Sequence, residues 1–318
     1  MQLRLNRWLL ILILVIATGI SAIICTAAGP SGIPVFGGMD AGMANLILTE
    51  IRLPRVIVAL LVGAGLAAAG TAMQGLFKNP LADPYVIGTS SGAALGAAIS
   101  FIFLKGAMLP YLAFSGACLA TIIVYIAGQR NGRMPVETLL LAGIAVSLFC
   151  SAMLSFLIYI AGENIHMIMF WLMGGLSDTS WDSVMTGLLI IPGIIAFIIL
   201  AREIDILSLG EEEASTLGVN TGHIKIVLLA ISAFITGIAV SIAGTIGFIG
   251  LITPHIVRTV TGPGHRFLLP TVVLTGGLIL LWADTVSRSL FNDMPVGIIT
   301  ACLGAPFFLY LIRRRTRI

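Results

Sequence analysis

Residues 211–213 are three consecutive glutamates, the only such acidic run in the chain, inside the stretch SLGEEEASTLGVNTG at 208–222. Ser208 lies three residues before Glu211. This spacing predicts a capping box, in which the two side chains satisfy backbone amides at the start of a helix. The carboxylates then occupy the first turn, where the helix dipole favours negative charge. Gly218 suits a left-handed C-cap that ends the helix.

The predicted acidic helix has about two to three turns, and a helix of that length is marginal in water by itself. Ala214 and Leu217 share one of its faces, and Asn220 or Thr221 is placed to cap the apolar helix that follows. We therefore interpret the segment as a surface on which another protein packs. The alternative is a solvated connector that happens to be acidic.

Three arginines lie at the opposite ends of the apolar segments, in Arg52-Leu-Pro-Arg55 and at Arg288. Guanidinium groups offer a planar fork that matches carboxylates, so these residues are candidates for docking an acidic partner surface. The alternative is interfacial snorkelling, together with a local pair between Asp284 and Arg288 at i,i+4 spacing.

A polar turn with two prolines interrupts the apolar pattern at 73–85. Asn79-Pro80 and Asp83-Pro84 favour turns and stop the preceding helix. The small residues that begin at Ser90 then open the next apolar segment. The segment is either an ordinary turn between two spans or a turn beside a gate, since polar backbone at membrane depth is tolerated where it faces protein or water.

The sequence contains none of the motifs that would power or catalyse a reaction. It has no G-x-x-x-x-G-K-[ST] phosphate loop. Its four cysteines and four histidines are scattered, which predicts neither a disulfide framework nor a metal site. The apolar segments lack the carboxylate relay of proton-coupled carriers. Energy for any transport must therefore come from another protein, and the acidic helix is the candidate entry point.

The elements that position these residues are apolar helices. Hydrophobic residues make up 58% of the chain, charged residues 10%, and the mean hydropathy is +1.09, values typical of a polytopic membrane protein. We predict an all-α membrane domain over 1–318 with about ten transmembrane helices. The ten windows are 8–28, 56–77, 87–104, 109–127, 139–160, 185–201, 224–243, 246–260, 268–286 and 296–312.

The distribution of basic residues indicates how the chain lies in the membrane. Ten spans put both termini on one side, and the Arg-rich end at 313–317 indicates that this side is the cytoplasm. The first window has the charged start of a signal peptide, but its apolar run is longer than the usual h-region, so we prefer a membrane helix. The net charge of +3 fits this topology, and no basic soluble surface suggests nucleic acid.

Two clusters of small residues, at 63–70 and 90–96, run through the second and third windows. Small residues let helix backbones approach closely inside lipid. The clusters indicate either a tightly packed bundle or walls that slide past one another along a path.

Several long motifs recur in the order typical of one family. They are RLPR at 52–55, QGLFKNPLADP at 74–84, GTSSG at 88–92, LGEEEA at 209–214, GFIGLITPH at 247–255, LLP at 268–270, AD at 283–284 and PVGIITACLGAP at 295–306. From about residue 50 to its end the chain resembles the FecCD family, the membrane subunits of ABC importers for iron-siderophores, haem and vitamin B12. One departure is Asn292-Asp293-Met294, where many members have Glu-Leu.

The resemblance implies the architecture of a type II ABC importer permease in the inner membrane. The partners that it implies are two cytoplasmic ATPases, which use ATP and Mg, a binding protein outside the membrane and a second permease subunit. This chain would bind no cofactor itself and would not be an enzyme. The cargo would be an iron chelate, a siderophore or haem, with vitamin B12 as the alternative. A stand-alone secondary carrier is a distant alternative.

The resemblance also assigns roles to residues. Arg52, Arg55 and Arg288 would receive the binding protein. The residues that couple to the ATPases would be Leu209, Gly210, Glu211, Glu212, Glu213, Ala214, Leu217 and Gly218, within a loop at about 205–222. The pathway or gate residues would be Asn79, Pro80, Leu81, Ala82, Pro84, Gly88, Ser90, Ser91 and Gly92.

Overall fold

The computed structural model describes residues 7–29, 41–129 and 134–315, and every regular element in those ranges is helical. A backbone in lipid must satisfy its own hydrogen bonds, which helices do. The α-helices are α1 (Arg7–Ala27), α2 (Ala41–Leu46), α3 (Leu53–Leu76), α4 (Thr89–Phe103), α5 (Leu109–Gly128), α6 (Val136–Ile160), α7 (Ile165–Leu172), α8 (Trp181–Leu188), α9 (Ile190–Ile199), α10 (Ala201–Leu209), α11 (Glu211–Thr216), α12 (Thr221–Ala243), α13 (Ile249–Thr261), α14 (His265–Leu290) and α15 (Val296–Arg315). A π-helical segment, Ile47–Arg52, joins α2 to α3, and 3₁₀ turns occupy Pro84–Ile87 and Gly162–Asn164.

Seven segments of the described chain are long and apolar enough to cross a membrane. They are Arg7–Ala27, Gly42–Leu76, Leu109–Gly128, Val136–Ile160, Trp181–Ile199, Thr221–Ala243 and His265–Leu290. The other three predicted windows correspond to α4, α13 and α15, and of α15 only the part Val296–Leu309 is apolar. The 13 residues of α13 extend about 20 Å, less than the roughly 30 Å of a hydrocarbon core. The prediction of an all-α polytopic membrane protein is confirmed.

Some helix boundaries differ from the prediction. The window at 185–201 began too late, because α8 starts at Trp181 and the span continues through α9. The sequence analysis did not predict α7 or α10. α10 forms because Ile204 and Leu207, one helical turn apart, are completely buried against the core. Tertiary burial of this kind overrides weak local signals. Arg317, at the end of the Arg-rich segment that indicated the orientation, lies outside the described residues.

α3 lies at the centre of the described helices, packed against α14, α12, α13 and α9. Its small residues are there to admit close neighbours. A Cβ on Gly63 would lie 2.4 Å from the carbonyl oxygen of Gly276, and one on Gly70 would lie 2.0 Å from that of Gly250. Backbones this close require glycine. The interpretation of cluster 63–70 as tight packing is thus supported directly, whereas its role in a path stays a prediction.

The second small-residue cluster packs α4 against α5. A Cβ on Gly92 would lie 2.3 Å from the carbonyl oxygen of Gly116, and one on Gly96 would lie 2.1 Å from that of Leu112. The two helices therefore touch backbone to backbone, as small residues permit in membranes.

The chain is irregular between α12 and α13, at 244–248. Its polar backbone is satisfied by other parts of the protein: the Ile246 carbonyl accepts from the Tyr85 hydroxyl at 2.9 Å, and the Ala243 carbonyl accepts from the Gly175 N–H at 2.9 Å. The Thr245 hydroxyl donates to the Leu172 carbonyl. This is the condition under which non-helical backbone is tolerated inside a membrane protein.

Candidate functional site

The acidic helix α11 starts differently from the prediction. Ser208 does not form a capping box, because it lies inside α10 and its hydroxyl donates to the Asp205 carbonyl at 2.6 Å. The N-cap is Gly210 instead. A side chain at this position would collide with the Glu213 carboxylate, which lies directly over it. The capping-box prediction was therefore wrong in its residues, although the short helix exists.

The end of α11 follows the prediction. Gly218 has a φ of +81°, the left-handed conformation expected at the C-cap. The Val219 N–H donates to the Ala214 carbonyl and the Gly218 N–H to the Ser215 carbonyl, both at 3.0 Å. This pair of bonds is a Schellman motif. The Asn220 side chain then accepts from the His223 N–H at 3.0 Å, which confirms the predicted cap of α12.

Only one side of α11 is anchored to the protein. Ala214 is fully buried, whereas Leu209 is 65% exposed and Leu217 is 58% exposed. Glu211, Glu212 and Glu213 are also exposed. An exposed patch of two leucines and three carboxylates is what a docking surface requires: apolar area for burial and charge for orientation.

One buried lysine ties α11 to the rest of the bundle. Lys225, in the first turns of α12, is only 3% exposed. Its ammonium donates to the Glu211 carboxylate at 2.5 Å and to the Met134 carbonyl at 2.8 Å. Met134 immediately precedes the segment that leads into α6. A single charged group thus connects α11, α12 and the start of α6.

The polar turn after α3 is built from its own side chains. The Asn79 side chain accepts from the Leu81 N–H at 3.0 Å, and the Asp83 carboxylate accepts from the Tyr85 N–H at 2.9 Å. Such bonds are typical of Asn and Asp in turns. Gly88, with a φ of +80°, ends the 3₁₀ turn and begins α4. Burial raises the pKa of the Asp83 carboxyl to about 6.

This turn reaches back into the membrane domain instead of remaining at its surface. A Cβ on Gly250 would lie 2.9 Å from the Pro84 ring and 2.7 Å from the Leu66 carbonyl, deep within α3. A Cβ on Gly143, in α6, would lie 2.2 Å from the Val86 carbonyl. The turn is therefore packed between α6, α13 and α3, as the gate hypothesis requires.

The other predicted gate residues fall around the same turn. Ala82, Pro84, Gly88 and Gly92 are buried, Pro80, Leu81, Ser90 and Ser91 are partly buried, and Asn79 is exposed. The Ser91 hydroxyl donates to the Gly88 carbonyl at 3.0 Å, and its oxygen lies 3.3 Å from the Ser147 hydroxyl of α6, which can donate to it. The structure thus brings these residues together, while their role in a gate stays a prediction.

The three arginines proposed to dock a partner, Arg52, Arg55 and Arg288, are buried and not displayed on the surface. Arg52 is 4% exposed, Arg55 7% and Arg288 3%. Arg52 donates to the Ala27 carbonyl at 2.8 Å, at the end of α1. Arg288 donates to the Cys25 carbonyl and lies 3.7 Å from the Asp284 carboxylate, which is the predicted i,i+4 pair.

Arg55 forms ion pairs with two aspartates, Asp284 and Asp293. Its Nε and one terminal nitrogen contact the Asp284 carboxylate, at 3.0 Å and 2.7 Å, in a forked arrangement. The same terminal nitrogen donates to Asp293 at 2.6 Å. Asp293 belongs to the segment at 292–294 that departs from the family pattern. In this conformation, the three guanidinium groups hold the ends of α1, α3 and α14 together; their docking role stays a prediction.

A cavity of about 950 Å³ lies at the end of the bundle opposite α11, among α5, α7, α8 and α12. Its walls include the aromatic residues Phe114, Phe170, Trp171 and Phe234. Its volume falls within the range of small-molecule sites. Among the described residues, no group of three or more His, Cys, Asp or Glu side chains is placed to hold a metal ion.

Sequence reasoning missed the residues that connect elements. Lys225 carried a visible signal, since it is a lone charge within an otherwise apolar window. Asp284 was noticed only for its local pair with Arg288. Its contact with Arg55 spans 229 residues, and no local pattern reports a pairing of that separation.

Comparison with known proteins places this geometry in a family. The model of the FecCD transport family matches residues 9–314. The chain is 48% identical over 276 residues to the cobalamin import system permease protein of Halobacterium salinarum, covering 86% of this chain and 74% of that protein. It is 43% identical over 282 residues to the hemin transport system permease protein of Yersinia pestis, covering 85% and 84%.

The fold comparison agrees. A solved ABC transporter described as metal-chelate type, in an inward-facing conformation, superposes with a TM-score of 0.87 at 32% identity, covering 96% of this chain and 98% of that chain. The family match covers nearly the whole described bundle, including α11, the polar turn and the three buried arginines Arg52, Arg55 and Arg288. The chain therefore belongs to the FecCD transport family, and it is a polytopic permease subunit of a type II ABC importer.

Proposed function

We propose that this permease imports a metal-bearing macrocycle of the cobalamin or haem type, supplied by a binding protein outside the membrane and driven by two cytoplasmic ATPases. The similarity to a cobalamin permease and a hemin permease, at 48% and 43% identity, carries this proposal. Ferric siderophores, the other iron chelates expected from the sequence, become the alternative cargo. ATP and Mg act in the partner subunits, and this chain supplies the path.

The exposed face of α11 supports ATPase docking in this proposal. Leu209, Leu217, Glu212 and Glu213 are exposed, whereas Ala214 is buried and Glu211 is held by Lys225. Closure of the ATPases would push on α11. Through Glu211 and Lys225 that push would reach the start of α6, and α6 packs on the polar turn at Val86. The gate would thus respond to nucleotide without any charge relay inside the membrane.

The outer end receives the cargo in this proposal. Both termini would lie in the cytoplasm, so that the ends of α1, α3 and α14 face outward. The binding protein would rest on a surface that Arg52, Arg55 and Arg288 stabilise. On docking, the three guanidinium groups would leave their present partners within the chain and pair with carboxylates of the binding protein. A second permease subunit would complete the path.

The cargo is tested by reconstituting the chain with its ATPases and binding protein in proteoliposomes. Cobalamin, hemin and a ferric siderophore are added separately outside the vesicles. ATP is enclosed in the vesicle lumen, on the side where the ATPases lie. We expect saturable uptake of a macrocycle and none of the siderophore. Uptake of the siderophore alone would contradict the proposed cargo class while leaving the transport role intact.

A further inference from the structure

A second cavity, of about 510 Å³, lies at the end of the bundle that carries α11. It is bounded by the end of α3, by α13, by the start of α14 and by Ser208 of α10. Among the described residues that line it are two cationic side chains, Lys78 and Arg258, and no carboxylate. This charge balance favours an anionic occupant, and the volume is typical of small-molecule sites.

His265 contributes a buried nitrogen without a partner. The residue is 3% exposed, and its Nδ1 lies 2.6 Å from the Asp205 carboxylate. The Asp205 carboxylate also accepts from the His265 backbone N–H, at 3.0 Å. It therefore occupies the Nδ1 side of the imidazole and leaves Nε2 without a partner. His265 lines the second cavity. Its other ring nitrogen, Nε2, is buried and makes no hydrogen bond. Buried polar atoms normally have partners.

Gln74 contributes a second buried atom without a partner. The residue is 2% exposed, and its amide nitrogen donates to the Leu251 carbonyl at 3.3 Å. That contact fixes the orientation of the amide, because a carbonyl accepts only from the nitrogen. The amide oxygen, Oε1, therefore remains as an acceptor and has no donor. Arg258 adds a buried Nε–H that has no acceptor.

These atoms together define the chemistry of the occupant. The Gln74 oxygen needs a donor, and the Arg258 Nε–H needs an acceptor. A carboxylate or a sulfate only accepts, and an ammonium only donates. Hydrogen phosphate carries both an O–H and charged acceptor oxygens. A phosphodiester lipid headgroup lacks that O–H.

We propose that this cavity is a binding site for hydrogen phosphate. Its O–H donates to Gln74 Oε1, and its charged oxygens accept from Arg258 and Lys78. Nε2 of His265 donates to a further phosphate oxygen when the ring is protonated. When the ring is neutral, Nε2 accepts from the second O–H of dihydrogen phosphate. A phosphate bound there bridges α3, α13 and α14 within a few residues of α11, so occupancy stabilises this arrangement of the helices.

The test is a titration of the purified full-length chain in nanodiscs of zwitterionic lipid with inorganic phosphate at pH 7, followed by calorimetry. Sulfate is titrated in parallel. We expect one saturable phosphate site and weaker binding of sulfate, which lacks the donor for Gln74. Arg258→Gln should weaken phosphate binding by at least about tenfold, the equivalent of roughly 1.4 kcal/mol. Lys78→Gln should weaken it to a smaller extent.

Arg266→Gln is the matched control, because Arg266 is an exposed cation in the first turn of α14 that does not line the cavity. It should bind phosphate as the wild type does. Absence of saturable binding, or equal losses in the Arg258 and Arg266 variants, would overturn the proposal. So would binding of phosphatidic acid that Arg258→Gln abolishes and that free phosphate does not displace, because this result would assign the cavity to a lipid monoester.

Discussion

At the scale of single residues, the chain keeps its few buried charges in compact groups. Asp284 is completely buried and is shared by Arg55 and Arg288, while Arg52 holds the end of α1. From the sequence, these arginines were candidates for docking an acidic partner surface or for interfacial snorkelling. Their partners were not predictable, because a contact across 229 residues depends on the packing of α3 against α14.

Arg55→Ala should destabilise the chain strongly. It leaves a fully buried carboxylate with only the more distant Arg288, and breaking a buried ion pair costs about 3–5 kcal/mol. Thermal unfolding of the purified chain in detergent measures the effect. Lys105→Ala, which removes an exposed cation from the same end of the bundle, is the control. Equal melting temperatures for the two variants would show that Arg55 is not structural and would favour a docking role alone.

Asp83→Asn should stabilise the chain more at pH 7 than at pH 4. The pKa of Asp83 is raised from 3.8 to about 6 because the carboxyl is buried. The stability that its protonated form contributes is complete below pH 3.8 and is lost as the pH rises through about 6. Asparagine keeps an oxygen for the Tyr85 N–H without the charge. Melting temperatures of both proteins from pH 4 to 7 test this, and a difference independent of pH would contradict it.

At the scale of elements, the sequence predicted the existence of α11 but not how it begins. Ser208 and Glu211 have the spacing of a capping box, yet burial of Ile204 and Leu207 extends α10 through Ser208. The C-terminal end of α11 was predicted correctly, because the left-handed conformation that ends the helix depends only on the residue type at Gly218. The long apolar helices were predictable for the same reason: their signal is summed over about 20 residues, whereas α7 and α10 are short.

Glu212→Lys should uncouple transport from ATP hydrolysis. Glu212 is exposed on α11, and no hydrogen bond or ion pair joins it to another described residue, so reversing its charge changes the proposed docking surface without disturbing the bundle. We expect the variant to insert into membranes normally and to lose uptake by about tenfold or more, which corresponds to roughly 1.4 kcal/mol. Uptake in proteoliposomes containing the full complex is the measurement. Uptake at the wild-type rate would contradict the coupling role of α11.

Lys225→Met should uncouple ATP hydrolysis by the complex from the uptake of cargo. It removes the ammonium that joins Glu211 to the Met134 carbonyl, so motion of α11 no longer reaches α6. We expect the complex to assemble and hydrolyse ATP while uptake falls. Lys225→Arg, which retains a cationic donor, should restore part of the uptake. The ratio of cargo imported to ATP hydrolysed is the readout, and an unchanged ratio in the methionine variant would exclude this connection.

At the scale of the whole molecule, the described bundle is a packed membrane domain with the acidic helix α11 at one end and buried arginines at the other. The small-residue clusters, the polar turn and the irregular segment 244–248 place backbone against backbone at its centre. Sequence patterns predicted the spans and located the polar turn. They did not predict that the turn packs between α6 and α13, because that contact joins segments far apart in the chain.

The central claim is that this chain has no energy source of its own and that force enters through α11. Uptake into proteoliposomes that contain the chain and its binding protein tests it most directly, measured with and without the ATPase subunits and ATP with Mg. We predict cargo accumulation only when both the ATPases and nucleotide are present. Accumulation by the chain without ATPases, driven by an ion gradient, would contradict the account.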